Sequence, residues 1–310
     1  MTPIFKIEAN NEDITQQLKN DLSSISFKDE DGNQSDEITI KVAGDFKRPK
    51  YEDELKLWLG YEENAELFYC GLFLVQTTER DAFSLNITAT GADFSQALKQ
   101  QRDMSYEKLS LKSVAQIVAD RHNLKLKSNF DDIQLTHLSQ THEGDLHFMK
   151  RLATEYDGLF SIKNNTLIFI KRTEEAKKSS ALPLFEIDVK ECSNYPIKHA
   201  NKTLYASCTA TWHDTKENIV KSVTVGKGDP VLNIKGQFKT AAEAQAKATA
   251  KLERAHRGTK TGSVSMYGKE IYAGGVLKLT GVGEDDGEYS IKSVDHTFDG
   301  GWSMSVEIEN

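Results

Sequence analysis

The spacing of apolar residues changes three times along the chain. Over the first third it alternates, as a half-buried strand requires. Phe5 and Ile7 open the pattern, and Ile14 to Leu18 fit one helical turn. Leu22 to Phe27 and Glu37 to Val42 flank an acidic Asp-Gly turn, followed by Leu55 to Leu59, Leu67 to Val75 and Phe83 to Ala89. Short strands at this spacing predict a barrel or a sandwich.

From Ser110 the period becomes helical. Ser110 is placed to cap a helix that buries Leu111, Val114, Ala115 and Val118, and Asn123 to end it in a left-handed turn. A second helix is expected from Thr141, with Glu143 and Asp145 in its first turn, where the helix dipole favours negative charge. Its buried side would be Leu146, Met149, Leu152, Ala153 and Tyr156, with Gly158 as the stop. Alternation then returns. Phe160 and Ile162, then Asn164-Asn165, then Leu167 and Phe169, predict a β-hairpin with a tight turn.

The polar run from Thr173 to Pro183 reads as a linker. Strand patterns resume at Lys202 to Trp212, Ile219 to Val225 and Val231 to Ile234. One helix follows. Thr240 and Glu243 form a capping box, Ala244, Ala248, Leu252 and Ala255 line its buried side, and Gly258 follows its last turn. The chain closes on strands at Ser263 to Tyr267, Val276 to Leu279, Tyr289 to Val294 and Trp302 to Ile308. The reading is α+β, mainly β: a β-domain over 1–97, an α+β domain over 98–181, and a second β-domain with an Ala-rich helix over 182–310.

The two β regions resemble each other. Gly71, Phe73 and Val75 can be laid on Gly287, Tyr289 and Ile291, and Phe83, Leu85 and Ile87 on Trp302, Met304 and Val306. Leu55 and Leu57 likewise answer Leu277 and Leu279. Such a match predicts one kind of β-module used twice.

Composition narrows the class further. With 38% hydrophobic and 28% charged residues, the 310-residue chain has the profile of a globular protein with two or three cores. Its first residues, MTPIFKIEANNED, lack the basic and apolar segments of a secretory signal, and no apolar run reaches membrane-spanning length. Cys70, Cys192 and Cys208 are odd in number and far apart, which speaks against a disulfide framework and for folding in a reducing cytoplasm. The net charge of −8 hides an asymmetry: residues 1–97 carry 9 Lys and Arg against 19 Asp and Glu. Such a surface repels a nucleic-acid backbone.

Candidate chemistry is sparse. His137, His142, Glu143 and His147 stand out, but a zinc helix needs histidines four apart, and His142 and His147 are five apart. On one helix their rings would point about 140° apart. The loop from Asp29 to Glu37 has Gly32 in fourth place and no twelfth-position Glu, so it reads as a hairpin turn and not a calcium loop. Gly281-Val-Gly-Glu-Asp-Asp-Gly287 misses a dinucleotide fingerprint by one residue and sets carboxylates where phosphate would lie. No nucleophile elbow or Walker loop is present. No catalytic, cofactor or metal residue is assigned.

The segment from Leu138 through His142-Glu-Gly-Asp-Leu-His147 to Ala153, followed by Glu155-Tyr-Asp-Gly158 and a hairpin, resembles the phage late control gene D family. Ser35 to Ile40, Leu57 to Tyr61, Gly71 with Phe73 and Val75, and Gly287 to Gly300 fit the same family in the same order. The resemblance implies two tube-like β-barrel domains around the central module. It implies a homotrimeric baseplate hub of a contractile tail or related injection machine, adapting a six-fold tail tube to a three-fold spike. Tube, spike and tape-measure proteins are then the expected partners, and the virion baseplate, assembled in host cytoplasm, the expected place. The alternatives are a tail-associated cell-wall hydrolase and a glycan-binding β-protein. If the acidic first module lines the hub channel, its charge would keep passing DNA from sticking.

Overall fold

The computed structural model describes the chain except residues 33–34, 65, 92–97, 99, 131–132, 164–165, 173–181, 201–203 and 215–216. The Asn164-Asn165 turn and most of the expected linker lie outside the described residues. The rest falls into two compact units, each discontinuous in the chain. One comprises residues 1–94, 182–198 and 261–309; the other comprises 95–181, 199–260 and Asn310.

In chain order the first unit begins with β1 (Pro3–Ala9), β2 (Glu12–Asp13), α1 (Thr15–Leu18), β3 (Leu22–Glu30), β4 (Glu37–Ala43), β5 (Glu54–Tyr61), β6 (Phe68–Arg80) and β7 (Ser84–Gly91). The second unit opens with β8 (Gln101–Ser110), α2 (Leu111–Arg121), β9 (Lys125–Ser128), β10 (Gln134–Gly144), α3 (Asp145–Glu155), β11 (Gly158–Lys163) and β12 (Thr166–Lys171). After it come β13 (Leu184–Asp188), β14 (Cys192–Asn194) and β15 (Ile197–His199). The second unit resumes with β16 (Ser207–Asp214), β17 (Ile219–Gly226), β18 (Val231–Lys235) and α4 (Ala241–His256). The chain returns to the first unit for β19 (Lys260–Tyr267), β20 (Val276–Thr280), β21 (Gly287–Phe298) and β22 (Trp302–Glu309).

The first unit is one 14-stranded sheet made of two six-stranded modules, with β2 added beside β1 and β15 beside β19. In the first module the strands lie in the order β3-β4-β7-β6-β5-β1, and in the second β14-β19-β22-β21-β20-β13. Period-two alternation gives each module its own apolar layer. Ile7, Phe27, Ile40, Leu57, Phe73 and Ile87 lie in one cluster, and Ile187, Val264, Leu277, Tyr289, Ile291 and Val306 in the other. Among the described residues the pairings make an open path, with no ring of strands closed on itself.

The second unit holds the helices. Ser110 caps α2 through a 3.0 Å bond accepted from Ser113 N–H, and Leu111, Val114, Ala115 and Val118 are fully buried. Asn123 ends that helix with φ of 54°. The expected start of the next helix at Thr141 is four residues early. Thr141 to Gly144 are the last residues of β10, bulged against β8 between Gln140 and Glu143, and Glu143 therefore lies on a strand. The left-handed residue that stops α3 is Asp157, with φ of 53°; Gly158 is needed for space, since a Cβ there would lie 2.9 Å from the Phe130 ring. Thr240 caps α4 by accepting from Glu243 N–H at 3.1 Å, while the Glu243 carboxylate accepts from Lys239 N–H at 3.0 Å. Ala244, Ala248 and Leu252 then pack on Cys208, Ala210 and Trp212 of β16, and Ala255 is half-buried.

Candidate functional site

The histidines singled out in the sequence are not gathered around one point of chemistry. His137 is exposed on β10, where its Nδ1 lies 2.5 Å from the Glu107 carboxylate and its Nε2 lies 2.8 Å from the Ser139 hydroxyl. That first contact holds the Glu107 carboxyl below its usual value. His142 occupies the bulge at φ of 50°, 3.0 Å from Asp103, and His147 is exposed on α3. The strand-to-helix change at Gly144 separates them, so the single-helix geometry assumed from the sequence does not apply. Among the described residues no group of three or more His, Cys, Asp or Glu is placed to hold a metal ion.

The polar cluster that the sequence did not single out surrounds Asp145. This fully buried carboxylate accepts from Arg121 at 2.6 Å, His122 at 2.7 Å and Gln140 at 2.9 Å. Arg102 Nε lies 3.3 Å from the same carboxylate. Burial pushes the carboxyl up, but the bonds from Gln140, Arg121 and His122 outweigh it and hold it below its usual value. Tyr106 donates to Gln140 at 3.1 Å, and its ring stacks on Phe148 at 5.4 Å. The cluster ties the start of α3 to the end of α2 and to both strands of the β8–β10 pair. Its arginines are committed to one internal carboxylate, which suits a fastening and not a reaction centre. A signal was available: an acid in the first turn of one helix and an Arg-His pair ending another.

A cleft of about 710 Å³ in the second unit is walled by Ala246 and Ala250 of α4 and by Gln134 and Thr136 of β10.

The repeated module is the most distinctive geometry. Leu55 pairs Phe73 and Leu57 pairs Gly71 in the first copy, as Leu277 pairs Tyr289 and Leu279 pairs Gly287 in the second. Ile40 opposite Ile87 and Val42 opposite Leu85 correspond to Val264 opposite Val306 and Met266 opposite Met304. The irregularities recur at matching positions, at Val75/Thr77 and Ile291/Ser293, and at Leu22/Ser24 and Cys192/Asn194. A backbone latch is also copied. Val75 donates its N–H to the Asp53 carbonyl while its own carbonyl accepts from Glu52 N–H, as Ile291 does with Gly275 and Gly274, and both Glu52 (φ 64°) and Gly274 (φ 79°) are left-handed. Shared bulges are hard to reach by chance, because each is an extra residue at one point of one ladder.

The copies differ in two respects. β1 runs antiparallel to β5, whereas β13 runs parallel to β20. The hairpin equivalent to β3–β4 is opened in the second copy, and residues 199–260 fill the interval.

A profile described as phage tail baseplate hub (GPD) matches residues 74–302, most of the chain. The chain belongs to the phage tail baseplate hub family. That is a family of structural proteins and not of enzymes. The probable baseplate hub protein of Escherichia phage P2 is 24% identical over 362 aligned positions, covering 100% of this chain and 93% of that protein. Its counterpart in Escherichia phage 186 is 27% identical over 225 residues, covering 70% of this chain but only 58% of that protein. Among solved structures, a tail protein of Neisseria meningitidis MC58 has the same fold, with a TM-score of 0.76 at 7% identity, over 100% of this chain and 97% of that one.

Proposed function

We propose that this baseplate hub protein acts as a homotrimeric symmetry adapter at the tip of a contractile phage tail or a related injection machine. One observation carries the reading: each chain presents a six-stranded module twice in the same strand order, with matching register in all but the end strand, which is β1 in one copy and β13 in the other. Three copies then present six near-equivalent modules to a six-fold tail tube, while the sequence outside the repeat keeps three-fold symmetry for a spike. The two modules are drawn from residues 1–94 and from 182–198 with 261–309, each acting as a barrel-like tube wall, with 95–181 between them in the chain and 199–260 inserted within the second. Tail tube, spike and tape-measure proteins are the partners this geometry suits, and the virion baseplate is the site of action. The acids of the first module fit a channel through which DNA passes.

The test is electron cryo-microscopy of tail particles from the cells that make the protein, with and without its gene. The expected result is a ring of three copies between tube and spike, and loss of assembled tails when the gene is deleted. Normal tails lacking the chain would reject the reading. A zymogram of the purified protein separates it from the cell-wall hydrolase alternative, for which clearing of peptidoglycan is required.

A further inference from the structure

Within each chain the two modules are joined by a strand pair that has no equivalent at their other ends. β20 covers only the first part of β21, and beyond Ile291 the same side of β21 is paired by β3 of the first module. Asp295 there stands opposite Lys28, and His296 opposite Phe27, whose rings stack at 5.5 Å.

The repeat supplies the two halves of this joint a second time. β6 is the counterpart of β21. β5 covers it only as far as Leu74, and among the described residues no strand pairs with Thr77–Arg80 on that side. Glu79 and Arg80 are exposed; the carbonyl of Thr78 takes a long 3.5 Å bond from Arg48, and Arg80 reaches back to the Phe46 carbonyl. The segment from β14 to β15 is the counterpart of β3. Its inner side meets β19, and among the described residues no strand lies on its outer side. Tyr195 and Lys198 are exposed. Pro196 does not spoil this edge. Its carbonyl accepts from Ser263 on the inner side, so its missing N–H faces β19 and not the open side.

We propose that a second copy of this chain docks here, laying Tyr195–Lys198 of one copy along Glu79 and Arg80 of the next and repeating the internal joint. Carrying the observed register across the repeat sets Glu79 opposite Lys198 and Arg80 opposite Ile197. The charges are complementary at the same place as in the internal joint, where Asp295 faces Lys28. The two edges are different surfaces, so the contact is heterologous: it builds rings and not two-fold dimers. Only the number of copies in the ring rests on the hub reading; the joint itself rests on the repeat.

Asp31 N–H donates to the Lys292 carbonyl, so the ladder's bonded pairs alternate from there and the Asp295–Lys28 pair is a non-bonded one. Its counterpart, Glu79 opposite Lys198, therefore has Cα atoms about 4.5 Å apart, within disulfide reach.

The experiment mixes Glu79→Cys chains with Lys198→Cys chains under mild oxidation, both as purified protein and within tail particles. The native chain with its three thiols is the control. The mixture should yield a covalent dimer at least about fivefold above either variant alone. Separately, Glu79→Lys should weaken self-association about tenfold, and adding Lys198→Glu in the same chain should restore it. A ring or particle containing the chain without the 79–198 link overturns the joint and leaves the hub reading standing. A chain absent from tail particles that still cross-links when purified does the reverse. A chain that neither links nor self-associates overturns both.

Discussion

At the scale of single residues, stability rests on a few buried polar groups whose partners come from distant parts of the chain. Asp145 has no exposure and four cationic or amide neighbours. Asp145→Asn should therefore cost about 3 kcal/mol in urea denaturation, because Arg121 and Arg102 would be left without their counter-charge. His296 takes a 3.3 Å bond from Trp302 at Nδ1 and stacks on Phe27; burial lowers its pKa to about 4. The folded state thus disfavours the charged ring. The stabilisation is complete above the ordinary value of 6.5 and is lost as pH falls toward about 4. A stability profile should drop by up to about 3 kcal/mol across that window, and His296→Gln should flatten it. Gly268 is required for space, since a Cβ there would lie 1.9 Å from the Trp302 ring. Gly268→Ala should lower stability by at least about 2 kcal/mol, read from the denaturation midpoint. Of these three roles only that of Asp145 left a trace in the sequence, as an acid in a helix's first turn; a His in an alternating run and a Gly after a Tyr look ordinary.

At the scale of elements, local rules located most helices and strands. Ser110 and Thr240 both cap as their positions require, and Ser110→Ala or Thr240→Ala should each cost about 1 kcal/mol in chemical denaturation. The error at Thr141 has a physical cause. Residues 134–144 carry few apolar positions, so their period is weak, and the strand is held instead by its ladder to β8, a partner whose own sequence is largely polar. Strand pairing satisfies backbone groups whatever the side chains, and only the partner's position reveals it. β13, β14 and β15 escaped notice for the same reason: each is short, and each is defined by the strand beside it.

At the scale of the whole molecule, two consequences follow from charge and repetition. With a net charge of −8, more than accounted for by residues 1–97, the protein should not retain duplex DNA in a filter-binding assay at physiological salt. Retention that falls steeply with added salt would contradict this. The repeat was legible because side-chain alternation has the same period in both copies. The alignment of Leu55, Gly71 and Ile87 on Leu277, Gly287 and Val306 is also the register of the ladders.

By itself the sequence determined what depends on neighbours in the chain. Periodicity chose strand or helix, Ser, Thr, Asn and Gly placed the ends, and motif order pointed to the baseplate hub family. Tertiary structure decided everything that depends on a partner far along the chain. It closed the Asp145 cluster from four separate segments, joined β21 to β3 across the length of the protein, and assigned residues 199–260 to a unit apart from the strands that flank them. The reason is that a hydrogen-bond ladder or a buried charge is satisfied by whatever lies beside it in space, and the chain's order does not specify that neighbour.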